Sequence, residues 1–143
     1  MDVLTKKQRS YCMSHIKSKD TSIERIVRSE LHKSGLRFRK HVRDLPGKPD
    51  IVLPKYRVVV HVRGCFWHGH DCKDGHIPKS RKKYWKPKLN GNKRRDRRND
   101  RKLRQLGWSV LTLWECNCDK RHRLMRQIQK VQKHLLKRKL LMQ

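Results

Sequence analysis

Acidic residues are scarce in this chain: twelve Asp and Glu stand against forty Lys and Arg, which leaves a formal net charge of +28. A folded domain with this excess repels itself and needs a polyanionic partner, of which duplex DNA or RNA is the plainest. A ribosomal-type RNA binder and a protein of anionic membrane surfaces are the alternatives. The sequence also lacks a signal peptide and any apolar run near the roughly 18 residues of a membrane span. We therefore expect a cytoplasmic, nucleoid-associated protein that binds nucleic acid and no membrane.

Cysteine is limited to five residues, and the reducing cytosol disfavours disulfides between them. Three of the ligand-type side chains cluster in the motif Cys65-x4-His70-x-Cys72. Thiolate and imidazole are the ligands that Zn²⁺ prefers in tetrahedral structural sites, so the spacing predicts a zinc knuckle. Free thiols beside a surface histidine are the alternative. Cys116 is the best candidate for the fourth zinc ligand. Its competitors are Cys118, His68 and His76.

If Cys116 completes the zinc site, His68 is left free of the metal. A histidine fixed beside a metal knuckle but not bound to it is suited to act as a general base. Asp96, in the cationic stretch 93–98, is a candidate to orient that imidazole. Relief of charge repulsion on a solvated helix is the alternative explanation of Asp96. The adjacent aromatic residues Phe66 and Trp67 suggest insertion between nucleic-acid bases.

The periodicity predicts one α/β domain over residues 1–143, with a mixed central sheet flanked by helices. Thr21 and Glu24 form a capping box at the start of the first helix, and Gly35 ends that helix. A basic arm precedes it, and a basic amphipathic helix follows at the C-terminus. The predicted segments are the arm at 1–20, extended stretches at 37–42, 51–53, 57–62 and 108–114, a helix from about 81 to 106, and the final helix at 120–143.

Asp50 opens the stretch 51–53 after a Pro-Gly-Lys-Pro turn. Nucleases of the restriction-endonuclease type carry a metal-binding aspartate at this position, where a hard Mg²⁺ ion needs carboxylate oxygen. An aspartate that only caps the turn is the alternative. The Glu-x-Lys signature of that fold is absent from the next strand, whose end carries His61 and Arg63 instead.

Several motifs together resemble the very-short-patch repair (Vsr) DNA mismatch endonucleases, over roughly residues 5–118. The motif Gly-Cys-Phe-Trp-His within 64–72 is the most specific of them. The matching segments, in order along the chain, are 13–21 with Glu24, 45–50, 64–72, Tyr84-Trp85, Asn92 with 95–97, and 107–108 through 114–116.

The resemblance implies a restriction-endonuclease-like fold that nicks one DNA strand 5′ to the thymine of a T·G mismatch. Deamination of 5-methylcytosine produces such mismatches, so a cytosine-5 DNA methyltransferase is the expected functional companion. The family acts as a monomer. By the same resemblance, Mg²⁺ is held by Asp50 and the backbone carbonyl of Val62. Glu24 contributes through metal-bound water, and His68 activates the attacking water with Asp96 behind it.

The resemblance also assigns a structural zinc ion to Cys65, His70, Cys72 and Cys116. The resemblance further implies that Phe66, Trp67 and Trp85 form a wedge that inserts into DNA, and that Met13 enters from the opposite groove. For Trp85, packing in the core is the alternative.

One position departs from the family, which usually carries His where this chain has Arg63. Arg63 can replace a phosphate contact, because its guanidinium donates a fork of hydrogen bonds, but it cannot transfer a proton. Two other functions therefore stay open. One is a non-catalytic zinc-containing binder of mismatched or distorted DNA, and the other is a restriction-type endonuclease of the same fold.

Overall fold

The computed structural model describes residues 5–8 and 21–142. Residues 6–8 are helical, within the segment predicted to be a basic arm. The rest of that arm, including the predicted DNA contact Met13, lies outside the described residues. None of the helices within the described ranges is long and apolar enough to cross a membrane.

The elements follow the predicted order α-β-β-β-α-β-α. Short 3-10 turns lie at Pro54–Tyr56 and Glu115–Asn117. The helices are α1 (Ser22–Lys33), α2 (Lys82–Gln105) and α3 (Arg121–Leu141), and the strands are β1 (Arg39–Lys40), β2 (Ile51–Leu53), β3 (Val58–Arg63) and β4 (Ser109–Trp114).

The four strands form one mixed sheet in the order β1-β2-β3-β4. The first two pairings are antiparallel, and β3 pairs with β4 in parallel. The parallel register sets Val58 opposite Ser109 and Arg63 opposite Trp114, so both strands end at the same edge of the sheet. The predicted mixed sheet flanked by helices is therefore confirmed.

Both faces of the sheet are covered, which explains the unbroken apolar run in β3. Val58 and Val60 pack with residues of α1 and α3, such as Leu31 and Ile128. Val59, which points the other way, packs with Leu103 of α2 and with Val52 of β2. The sheet is thus the middle of three layers, and α2 lies on the face opposite α1 and α3.

The predicted extended stretch at 37–42 is shorter in the structure, where β1 contains only Arg39 and Lys40. His41 ends the strand because its φ of 51° lies in the left-handed region, which is incompatible with a continuing strand. This conformation is uncommon for a residue other than glycine, and His41 lies at the rim of the candidate site described next.

Candidate functional site

A cleft of about 920 Å³ opens beside the carboxyl end of β3. Five parts of the fold line it: the end of β3, the entry to β2, the start of α1, the knuckle loop and one face of α2. The cleft brings together the residues predicted to be catalytic, which are Glu24, Asp50, Arg63, His68 and Asp96.

Asp50 lies at the entry to β2, next to the end of β3. Its Oδ2 accepts a hydrogen bond of 2.8 Å from the backbone N–H of Val62. Burial raises the pKa of Asp50, the nearby Glu24 carboxylate raises it further, and the Val62 N–H opposes both effects. A cation bound beside Asp50 would lower this pKa, because a positive charge favours the ionised form of a carboxyl group. The antiparallel β2–β3 pairing thus explains how Asp50 and Val62 come to lie together.

Glu24 joins this group from α1. The hydroxyl of Thr21 accepts a hydrogen bond of 3.3 Å from the Glu24 backbone N–H, as the capping box predicts. The buried carboxylate of Glu24 lies 3.0 Å from His41 Nε2. One ligand atom from each of Glu24, His41 and Asp50 lies within 4.8 Å of the other two. Sequence analysis did not identify His41, because no motif marks it.

His68 and Asp96 are in direct contact, at 2.6 Å from Nδ1 to Oδ2. Both side chains are partly buried in the cleft, with 29% of His68 and 17% of Asp96 exposed. A proton on Nδ1 of His68 is then shared with the carboxylate, and Nε2 is the nitrogen that can accept another proton. Gly69, with φ of +61°, follows His68 in the left-handed region that glycine adopts at little cost. The geometry is that of an imidazole oriented by a carboxylate.

Arg63 lines the cleft and forms a buried ion pair that the sequence did not reveal. Its two terminal nitrogens contact the two carboxylate oxygens of Asp100 at 2.9 and 3.2 Å. A third contact, at 3.4 Å, joins Arg63 to the hydroxyl of Thr112, and His61 Nε2 lies 3.2 Å from Asp100. Burial alone would raise the pKa of Asp100, but the neighbouring His61 imidazole and the Arg63 guanidinium lower it to about 2. Asp100 therefore ties α2 to the end of β3.

The predicted knuckle residues come together at the ends of β3 and β4. Cys65, His70, Cys72 and Cys116 each offer a ligand atom within 4.8 Å of the others. His70 Nδ1 lies 3.6 Å from the Cys65 sulfur and 3.5 Å from the Cys116 sulfur. Two ligands of a tetrahedral zinc ion, with bonds of roughly 2.3 Å to sulfur and 2.05 Å to nitrogen, are about 3.6 Å apart. The donor types and their spacing therefore fit zinc.

The competing ligands of the knuckle are engaged elsewhere. His68 contacts Asp96, His76 contacts the backbone carbonyl of Lys73, and Cys118 packs in the core between the sheet and α1 and α3. Burial raises the pKa of the Cys118 thiol to about 11. It also raises the pKa of the Cys65 thiol, to about 12, so ionisation of Cys65 requires a cation nearby.

Two further residues that the sequence did not single out shape the knuckle. Trp114 stacks on the His70 ring, with the ring centroids 4.1 Å apart and the planes 14° from parallel. Gly75 has no room for a side chain, because a Cβ there would lie 1.8 Å from the carbonyl oxygen of His70. Trp114 is half-buried and packs against a predicted zinc ligand.

The predicted wedge residues form an aromatic cluster next to the cleft. Phe66, Trp67 and Trp85 contact one another edge-to-face, with centroids 5.1 to 5.7 Å apart. Phe66 and Trp67 are half-buried, whereas Trp85 is only 8% exposed and also packs on Tyr84. Asn92 of α2 donates a hydrogen bond of 3.0 Å to the Trp67 carbonyl. Helix α2 therefore supports both the aromatic cluster and the oriented histidine.

We predict that Asp100→Ala lowers the free energy of unfolding by about 3–5 kcal/mol, because it leaves the buried Arg63 charge without its carboxylate. Urea denaturation measures the loss. The matched control is Asp119→Ala, which removes an exposed ion pair of 3.3 Å with Arg123 and should cost less than about 1 kcal/mol. Equal losses in the two variants would contradict the structural role of Asp100.

Comparison with known proteins identifies the family. A model of the family described as DNA mismatch endonuclease Vsr matches residues 1–74. A type II nicking enzyme, V.XorIIP of Xanthomonas oryzae pv. oryzae, is 50% identical over 115 residues, covering 80% of this chain and 85% of that protein. Another, V.NmeAIP of Neisseria meningitidis, is 44% identical over 134 residues, or 89% and 96% of the two chains.

The DNA mismatch endonuclease Vsr of Escherichia coli is 43% identical over 123 residues, which cover 86% of this chain and 79% of that protein. The family match spans more than half of the 143 residues, and these relatives cover four-fifths of the chain or more. Together with the cleft and the knuckle, these similarities show that the chain belongs to the Vsr family of DNA mismatch endonucleases.

Proposed function

We propose that this protein nicks one strand of duplex DNA 5′ to the thymine of a T·G mismatch, by Mg²⁺-dependent hydrolysis of a phosphodiester bond. The observation that carries the proposal is the contact of 2.6 Å between His68 and Asp96, in the same cleft as Asp50. Relatives named as a mismatch endonuclease and as nicking enzymes support the reaction. A restriction-endonuclease-like fold is part of the same proposal, and the mixed sheet supports it.

His68 is the general base in this proposal. Nε2 accepts a proton from the attacking water, while Asp96 holds the ring in that tautomer and stabilises the imidazolium that forms. Asp50 and the Val62 carbonyl hold Mg²⁺, and Glu24 acts on it through water. Carboxylate and carbonyl oxygens are the donors that this ion prefers. When bound, Mg²⁺ neutralises the charge that develops on the phosphate under attack.

Arg63 is proposed as a phosphate contact that cannot transfer a proton. A guanidinium has five N–H donors, and the three contacts to Asp100 and Thr112 leave donors for a phosphate oxygen. Asp100 then fixes the direction of the arginine fork. Arg63 thus supplies charge to the cleft, and proton transfer is left to His68.

Mismatch recognition is assigned to the aromatic cluster. Phe66 and Trp67 insert into the base stack next to the mismatch, where unstacking costs least, and Met13 inserts from the other groove. Trp85 is the third member of the wedge and, because it is buried, acts from beneath the other two. The net charge of +28 supplies sequence-independent attraction to phosphates. We expect a monomer that works in the cytoplasm at the nucleoid, on lesions left where a cytosine-5 methyltransferase has acted.

A nicking assay under single-turnover conditions tests the reaction. The substrate is a strand-labelled duplex with one T·G pair, run beside the same duplex with T·A, each with and without Mg²⁺. We expect a nick 5′ to the mismatched T only with metal, and none with Asp50→Asn, whose DNA binding should stay near normal. Mismatch-selective binding without a nick would favour the non-catalytic binder. Cleavage of matched and mismatched duplexes alike would favour a restriction-type enzyme.

Asp96→Asn tests the oriented base. Replacing the carboxylate by an amide removes the charge that holds His68 in its tautomer, so the single-turnover rate should fall by about a hundredfold or more. Mismatch binding and zinc content should stay unchanged. Asp119→Asn, on the exposed pair described above, is the control and should nick at the normal rate. A normal rate for Asp96→Asn would remove Asp96 from the mechanism.

Zinc is proposed as a structural ion on Cys65, His70, Cys72 and Cys116. Two cysteines that lie two positions apart provide a matched test. Cys116→Ala should lose zinc and much of its folding stability, because zinc binding and folding are coupled. Cys118→Ala should keep one zinc per chain and lose only its packing. Metal analysis after dialysis against a chelator measures both, and equal zinc content in the two variants would exclude Cys116 as a ligand.

A further inference from the structure

We propose that Glu24, His41 and Asp50 all bind the divalent cation of the DNA-free cleft directly, so that Glu24 is then a ligand itself and does not act through water, and that His41 gives this site a preference for Mn²⁺ over Mg²⁺. The inference rests on the proposed function, because it concerns the metal of the same cleft. It adds an imidazole to a ligand set that otherwise consists of oxygen atoms.

The first support is the spacing of the donor atoms. His41 Nε2 lies 3.0 Å from Glu24 Oε2. Adjacent ligands of an octahedral ion with bonds of roughly 2.1 Å are about 3 Å apart, so this separation suits two neighbouring ligands of one ion. Asp50 completes the group, since its ligand atom lies within 4.8 Å of the other two. The three residues come from α1, the end of β1 and the entry to β2.

The backbone of His41 fixes the imidazole at this position. Its φ of 51° is left-handed, a conformation that costs energy for most residues other than glycine, asparagine and aspartate. Two hydrogen bonds hold the segment there: His41 N–H donates to the Asp50 carbonyl at 3.1 Å, and Val42 N–H donates to the Pro49 carbonyl at 3.2 Å. The histidine is thereby tied to the backbone of Asp50 itself.

Two of the three residues, Glu24 and Asp50, are carboxylates, whose negative charge attracts a divalent cation. The Glu24 side chain is 4% exposed and that of His41 is 20% exposed, so both donors are largely shielded from solvent. Arg28 approaches the same Glu24 oxygen at 3.5 Å. A carboxylate has several lone-pair sites and can accept from an arginine while it binds a metal.

The imidazole determines which cation the site prefers. Mg²⁺ is a hard ion that favours oxygen ligands and keeps several waters. Mn²⁺ suits carboxylate and water as Mg²⁺ does, but as a first-row transition ion it accepts an imidazole nitrogen more readily than Mg²⁺. We therefore expect the wild-type protein to bind Mn²⁺ more tightly than Mg²⁺ without DNA, and loss of His41 to weaken Mn²⁺ binding by about tenfold or more.

Electron paramagnetic resonance of Mn²⁺ added to the zinc-loaded, DNA-free chain tests this inference. Titration gives the affinity, and electron spin echo modulation shows whether a nitrogen is coordinated. His41→Asn is the variant, because asparagine tolerates the left-handed backbone. His122→Asn, which removes an exposed histidine of α3, is the control. We expect nitrogen modulation in the wild type and the control but not in His41→Asn.

Wild-type protein with ¹⁵N-labelled histidine gives a second reading that does not depend on the variant's folding, since the modulation should change to that of ¹⁵N. Nitrogen modulation and Mn²⁺ affinity that survive in a folded His41→Asn would overturn the inference, and so would wild-type Mn²⁺ binding without any nitrogen signal. If the T·G nicking assay fails but Mn²⁺ binding still depends on His41, the proposed function is rejected and this ligand set is retained.

Discussion

The parallel pairing of β3 with β4 is the contact on which the site depends. Its register places Arg63 opposite Trp114, so the residues that follow the two strands emerge side by side. Cys65 and Cys116, far apart in sequence, therefore reach the same His70 nitrogen. The same strand ends carry Val62 against Asp50 and place the knuckle loop over the cleft. A buried hydrophobic pairing thus fixes the distances between polar groups that could not attract one another strongly in water.

Most of the carboxylates that matter lie opposite a specific nitrogen. Glu24 contacts His41, Asp96 contacts His68, and Asp100 contacts Arg63. In a chain with net charge +28, a bare carboxylate would be neutralised by any of many lysines and arginines. Because these three carboxylates are buried or partly buried, each contacts its specific histidine or arginine instead. The cationic surface and the buried ion pairs therefore have different roles. The surface attracts DNA phosphates in general, whereas the buried pairs position the side chains of the cleft.

The sequence predicted the parts of the site whose residues carry short-range signals. The knuckle ligands within 65–72 are recognisable by their spacing, and an Asp96 that orients His68 was one of two interpretations of that aspartate before the family resemblance was considered. His41 and Asp100 were not found, because each depends on tertiary structure. The left-handed backbone of His41 is required by no local motif. Asp100 follows a run of arginines, where charge relief explains it fully until α2 is placed against β3.

The residues of α2 that reach the cleft lie on one face of the helix. Asp96 and Asp100 are one turn apart and so lie on one face, and Asn92 lies one turn before them. Trp85, earlier on the same helix, packs under Phe66. A single inserted residue between Trp85 and Asn92 would rotate one half of the helix by about 100° relative to the other. A substitution of an outer cationic side chain of this helix therefore leaves the geometry of the cleft intact, whereas a change in the length between the aromatic cluster and the carboxylates disrupts it.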